Sequence, residues 1–262
     1  MVDQAAQTEH PVTSHPASSV YSPLVEDADV HASSDEYAGR FAGGVGHWML
    51  QIQESALLSM VSAHGESVLD IGGGHGQTAR PLYRAGKSVT VVGSSPVCAG
   101  QLTEEIEAGC VSFKCGNLIQ LPFRQRAFDL VVCFRLMSHC TAWQTLIAEM
   151  CRVADRSVIF DYPSWISSNF LTPVLFRIKR NIEGNTRQYR IFTTRELRDE
   201  FAKHGFTCTA IRKQFFFPMG LHRAMKLPRV SKFLESCANC LGLTRLFGSP
   251  VIIRFERKHR DD

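Results

Sequence analysis

The chain has 262 residues, 44% hydrophobic and 21% charged, which is enough to bury one substantial core with a small appended region. It lacks any apolar run of the roughly 18 residues that a membrane-crossing helix needs. The N-terminus shows neither the basic-then-apolar pattern of a secretion signal nor an Arg-rich transit pattern, so the expected location is cytoplasmic. Charge is unevenly spread: residues 1–162 carry 10 Lys and Arg against 17 Asp and Glu, and residues 163–262 carry 19 against 8. A basic C-terminal third suits an anionic partner, including a membrane surface met peripherally.

Residues 1–34 contain no Lys or Arg and are rich in Ser, Pro, Ala and acidic side chains, the composition of a disordered acidic tail. Order is expected from about residue 35 to residue 262. Trp48, Ile52 and Leu58 stand at helical spacing and predict an amphipathic helix over His47–Ala63. From there the pattern alternates. Strands are expected at Ser67–Ile71, Ser88–Val92, Cys110–Lys114, Phe128–Phe134 and Ser157–Asp161, with helices at Gln77–Ala85, Val97–Ala108 and Thr141–Val153 between them. Apolar strands separated by helices of this length indicate βαβ units and a parallel sheet covered on both faces.

The last third reads differently. Asn169–Arg180 is an apolar and basic helix candidate. Thr193-Thr-Arg-Glu196 is a capping-box pattern opening a helix that stops at Gly205. Late strands follow at Cys208–Phe217 and Val251–Arg257. Residues of about 168–190 and 218–248 are read as cap or substrate-wall insertions. The nine cysteines lie mostly in apolar segments and are expected to be buried thiols. Cys237 and Cys240 form a CxxC with no second pair or matching histidines, so no metal site is expected.

The densest motif is Val68-Leu-Asp-Ile-Gly-Gly-Gly-His-Gly76, a buried-strand pattern that ends in four glycines within five positions. Backbone free of side chains there can approach a ligand closely. A dinucleotide fingerprint, GxGxxA, can be laid on Gly74–Ala79. The alternative pattern, acidic-x-Gly-x-Gly-x-Gly, fits Asp70, Gly72, Gly74 and Gly76. A carboxylate pointing into the turn attracts a ligand with a positive group and repels a pyrophosphate, which favours the second pattern.

VLDIGGGHG resembles the first motif of class I S-adenosylmethionine-dependent methyltransferases, of the type 11 domain kind. LPFRQRAFDLVV (121–132), EMCRVADRSVIFDYPS (149–164) and TTRELRDEFAKHGF (193–206) resemble, in order, the stretch into the fourth strand, the helix and fifth strand, and the late helix of that family. The resemblance spans about residues 37–215. It implies a Rossmann-like, doubly wound, mostly parallel seven-stranded sheet with helices on both faces and a C-terminal basic and apolar insert. It also implies S-adenosyl-L-methionine as cofactor. Asp70 would sit near the methionine amino end, with Gly72, Gly73, Gly74 and Gly76 giving backbone access.

The usual ribose-binding acid after the second strand is replaced by Gly93, followed by Ser94, whose hydroxyl is an alternative acceptor. The usual acid near adenine is Asn117, followed by Leu118. Phe134 ends the fourth strand beside the cofactor, and Tyr37 and Arg40 resemble an N-terminal element that closes over it.

Methyl transfer from a sulfonium depends chiefly on alignment, and a base helps only where the acceptor loses a proton. His139 is the candidate base, Arg135 a candidate for orienting a carboxylate or phosphate, and Asp161 and Tyr162 face the same region on this reading. The aromatic run Phe215–Phe217 with Leu221, Met225 and Leu227 suggests an apolar, cation-rimmed entrance. The expected partner is a small-molecule or lipid-like acceptor, methylated on oxygen. Nucleic acid is not expected, because no RNA-binding module is present. Two alternatives are a non-catalytic methyltransferase-like binding or regulatory protein, motivated by Gly93 and Asn117, and a nicotinamide-dependent oxidoreductase, which Gly93 disfavours.

Overall fold

The computed structural model describes residues 26–62, 66–167 and 189–258. Three helices come first: α1 (Ala28–Ala32), α2 (Asp35–Gly39) and α3 (Gly43–Leu58). The sheet strands are β1 (Ser67–Ile71), β2 (Ser88–Gly93), β3 (Val111–Cys115), β4 (Phe128–Cys133), β5 (Ala154–Tyr162), β6 (Phe206–Phe215) and β7 (Ser249–Arg257). They form one sheet in the order β3-β2-β1-β4-β5-β7-β6. All neighbouring pairs are parallel except those of β7, which runs antiparallel to both β5 and β6. This is the Rossmann-like arrangement that the family resemblance implies, with the βαβ units that the alternation of strands and helices predicts.

The near-continuous apolar strands follow from burial on both faces. Leu69, Ile71, Val131 and Cys133 point into one core with α4 (Trp143–Val153), whereas Val68, Leu130 and Val132 point into the other beneath α3. In α4, Trp143, Leu146, Ile147, Met150 and Cys151 recur at helical spacing and all are buried. The helix Thr194–Lys203 opens as its capping pattern predicts. The Thr193 hydroxyl accepts from the Glu196 amide at 3.1 Å, and Gly205, at φ 77°, takes the left-handed conformation that ends the turn.

Two expectations change. Residues 28–32 lie within the expected tail, yet they form α1, with Ala28 and Asp29 only 3% and 1% exposed. Of the nine cysteines, Cys98, Cys133, Cys140 and Cys151 are buried, while Cys115, Cys237 and Cys240 are exposed. Their segments are apolar, but β3 is an edge strand and the CxxC lies on an outer helix. The expected helix at 169–180, and most of the insertion at 168–190, lie outside the described residues. The second insertion is seen as three helices, Met219–Met225, Pro228–Cys240 and Leu243–Phe247, between β6 and β7. Among the described residues no group of His, Cys, Asp or Glu has the geometry to hold a metal ion.

Candidate active site

In an open α/β sheet, ligands bind beyond the C-terminal strand ends where the strand order reverses. Here that point is the crevice between β1 and β4. The turn after β1 is built from glycines that no other residue replaces cheaply. Gly72, Gly73, Gly74 and Gly76 have φ of 81, 20, 49 and 70°. A Cβ on Gly73 would lie 2.2 Å from Val91, and one on Gly76 would lie 2.6 Å from Leu102.

Asp70 lies beneath this turn, 1% exposed, and accepts a hydrogen bond from the Thr78 hydroxyl. Burial pushes its carboxyl up to about 7, against the lowering effect of Thr78 and the Ala79 amide. His75, within the turn, stacks on Tyr37 with ring centroids 5.8 Å apart and 16° between planes. Desolvation, then nearby Arg135, lowers its pKa.

A second cavity adjoins the turn, with a volume of about 330 Å³. It is lined by Tyr37, Arg40 and Phe41 from the N-terminal elements, Arg135, Ser138 and His139 after β4, and Asp161 and Pro163 at the end of β5. Tyr189, the segment Pro218–Gly220, Arg223, Ser249 and Pro250 close it. Tyr37 and Arg135 line both this cavity and the glycine turn, so the two sites are contiguous.

Arg135 is the strained residue of the site, at φ 61°. A non-glycine in the left-handed region costs on the order of 1–3 kcal/mol and persists only where its surroundings hold it. Its amide donates to Asp161 Oδ1 at 2.5 Å, its guanidinium donates to Gln53 Oε1 at 2.6 and 3.1 Å, and its Cζ lies 3.9 Å from the Phe41 ring centroid. Burial raises the Asp161 pKa, opposed by Arg135.

Among the expected residues, Arg135, His139, Tyr37 and Arg40 meet in the cavity, and Asp70, Phe134 and the first three glycines of the turn line the crevice. Tyr162 does not join them. It is 1% exposed, packs in the core and exchanges a hydrogen bond with Thr194 at 2.7 Å. Successive strand residues face opposite sides of the sheet, so with Asp161 at the site its neighbour turns away. Leu118 is fully buried, and the Asn117 side-chain oxygen accepts from the Ile119 amide at 3.2 Å. At Gly93 a Cβ would lie 2.6 Å from Cys98 Cβ and 3.1 Å from the Phe113 ring, so no carboxylate fits there. Arg223, Tyr189 and Gln53 were missed, because their elements carry no local motif.

Residues 68–156 match the family model described as a methyltransferase domain. A demethylmenaquinone methyltransferase of Tropheryma whipplei is 26% identical over 205 residues, covering 70% of this chain and 82% of the relative. Two solved structures share the fold. One is magnesium protoporphyrin IX methyltransferase from Synechocystis PCC 6803 with bound S-adenosylhomocysteine (TM-score 0.58, 16% identity, 86% of this chain and 94% of that one). The other is a [4+2]-cyclase (TM-score 0.54, 18% identity, 79% and 80%). A shared fold hosts different reactions, so the assignment rests on the family match and the acidic glycine turn that it covers. Together they mark residues 68–156 as a methyltransferase domain of the S-adenosylmethionine-dependent kind. Its cofactor is S-adenosyl-L-methionine.

The crevice carries Asp70 and the glycine turn, and α1 packs into it. The pocket directly over the turn holds about 20 Å³, and Gly72 lies close against α1, where an added Cβ would be 3.3 Å from Asp29 Cβ. Ala28 packs in the same cluster as Leu118, Leu136 and Met137. Asp29 Oδ2 accepts from the Ser94 amide at 2.7 Å and from the Cys98 thiol at 3.3 Å, and its Oδ1 accepts from the Ser94 hydroxyl. Glu26 anchors the far side, accepting from the Thr141 amide at 3.1 Å. A carboxylate thus stands beside Gly93 after all, delivered by a different element.

Asp70 sets an expected pH dependence. With its pKa at about 7 in the fold against 3.8 ordinarily, it stays largely protonated below neutrality. Protonation stabilises the fold, and that contribution is lost as pH rises from about 4 through 7. A cationic ligand favours the ionised form. Cofactor affinity should therefore rise by up to about tenfold per pH unit towards pH 7. Asp70→Asn should flatten the slope, as followed by calorimetric titration across pH. A sloped profile in Asp70→Asn would assign the titration to another group.

Proposed function

We propose that the protein methylates an oxygen of a small, apolar or lipid-like acceptor seated in the cavity beside the glycine turn. The observation that carries this reading is the contiguity of the two sites. A concave chamber with an apolar part (Phe41, Pro218, Met219, Pro250) shares Tyr37 and Arg135 with the cofactor crevice. The T. whipplei relative, named for demethylmenaquinone as acceptor, supports a lipid-like class.

The cofactor supplies the activated methyl group, and this chain's residues supply position and proton handling. His139 lines the chamber with its ring edge-on to Tyr189 at 5.6 Å. In this reading it would take the proton that the acceptor hydroxyl loses on methylation. Arg135, clamped by Gln53, Asp161 and Phe41, orients the acceptor. Incubation with methyl-labelled cofactor and a panel of phenolic and quinol acceptors tests the reading. His139→Ala should lower kcat by about 100-fold with cofactor affinity unchanged. Label transfer to carbon or nitrogen alone, or full activity of His139→Ala, would overturn the oxygen-and-base reading.

The helices of residues 219–247 support peripheral contact with a membrane that delivers such an acceptor. They expose Leu221, Leu227, Val230, Phe233, Leu241, Leu246 and Phe247. That stretch carries five Lys and Arg against one Glu, a combination suited to an anionic bilayer surface. Among the described residues no helix is long and apolar enough to cross a membrane. Sedimentation with phosphatidylglycerol vesicles should capture the protein, and Phe233→Asp should release it. Equal recovery with neutral vesicles would refute the electrostatic part.

A further inference from the structure

We infer that the acceptor carries an anionic group, a carboxylate or a phosphate monoester, held in the cavity by Arg40, Arg135 and Arg223; this rests on reading that cavity as the acceptor site. The three guanidinium-bearing side chains come from separate elements, the C-cap of α2, the turn after β4 and the helix Met219–Met225, yet they line one chamber of about 330 Å³. Separate elements converging like charges on one cavity is an arrangement that folding alone disfavours.

The partners among the described residues do not neutralise it. Among the described residues that line the cavity, Asp161 is the one carboxylate, and one of its oxygens accepts the Arg135 amide. The Arg135 guanidinium is engaged by the neutral Gln53 amide oxygen and the Phe41 ring face. Arg40 reaches Glu36 only at 4.0 Å, with both side chains exposed, a geometry that contributes little. Among the described residues no hydrogen bond or ion pair engages Arg223. Burial, then Arg40, depresses its pKa, with Arg135 adding to the effect, as expected of a cation facing cations.

An anion on the ligand supplies the missing countercharge. Planar guanidiniums bind carboxylate and phosphate oxygens in pairs, which fixes orientation as well as affinity. The apolar side of the chamber then takes the uncharged body of the acceptor. The size and concavity of the chamber fit a small molecule.

The test is calorimetric titration of the full chain with 4-phenylbutyrate, 4-phenylbutyl phosphate and the neutral 4-phenylbutyramide, with and without S-adenosylhomocysteine. At least one acid should bind about tenfold or more tightly than the amide, with affinity falling as salt rises. The preferred acid names the group. Arg223→Gln should weaken acid binding about tenfold and leave amide binding unchanged, whereas Arg223→Lys should restore part of it. Thermal unfolding of each variant separates lost binding from lost folding. Equal binding of acids and amide, or undiminished acid binding by Arg223→Gln, would overturn the inference while leaving methyl transfer standing. Acid binding with no transfer to any acceptor supports the anion site and counts against the proposed reaction instead.

Discussion

Deletion of residues 1–33 is expected to tighten S-adenosylmethionine binding by about 10- to 100-fold, on the reading that α1, packed into the crevice, competes with the cofactor. With α1 docked, the opening at the glycine turn is about 20 Å³, and Asp29 and Ala28 are almost wholly buried. On that reading the cofactor displaces them, and the hydrogen bonds from Ser94 to the Asp29 carboxylate are given up. A hydrogen bond to a charged group contributes about 1.5–3 kcal/mol, and each 1.4 kcal/mol is about tenfold in affinity. Asp29→Ala should move affinity in the same direction by a smaller amount. The deletion leaves Ser34, whose hydroxyl caps α2 by accepting from the Tyr37 amide, so Tyr37 and Arg40 keep their places. Calorimetric titration of the two proteins side by side decides it. Weaker binding by the shortened chain would mean that the segment contacts bound cofactor instead of competing with it.

Glu235→Ala should lower the melting temperature by about 10 °C, the loss expected when a buried charged partner is removed from a chain of this size. Glu235, 5% exposed, accepts from the amides of Phe216 and Phe217 and pairs with His222 Nε2, all at 2.9 Å. His222 is fully buried, edge-on to Trp48 at 5.4 Å and to Phe217 at 6.2 Å. The carboxylate therefore ties the helix Pro228–Cys240 to the end of β6 and to the segment carrying Arg223. Removing it leaves two buried amides and an imidazole without their acceptor. Glu235→Gln, which retains one acceptor oxygen, should lose about half as much. Thermal denaturation by circular dichroism measures both, and an unchanged melting temperature for Glu235→Ala would show that water replaces the carboxylate at no cost.

Local patterning made the scaffold legible. The β1 bounds, Ser67–Ile71, were readable because an apolar run of strand length ends in glycines that only a turn needs. The capping of the helix after Thr193 was equally local, as hydroxyl and amide are three residues apart. Asp70 beneath the turn followed from the chemistry of the motif. The Asp161–Tyr162 pair was half right: strand alternation lets only one of two neighbours face a site, and which one depends on how β5 sits against β4 and β7.

The acceptor chamber was less legible. Arg223 stands in an unremarkable basic helix, and its meeting with Arg40 and Arg135 depends on three elements far apart in the chain. The short α1 has too few residues to announce itself by periodicity, and its burial depends on the crevice it enters. What the residues determined by themselves was the alternation of strands and helices and the glycine turn, because each depends on neighbours a few positions apart; the seven-stranded sheet and the class of cofactor followed from the resemblance that the ordered motifs carry. What only the tertiary structure decided was the occupied crevice, the carboxylate that Asp29 brings beside Gly93 and the clustering of three cations. Those depend on distances between segments that no local pattern encodes.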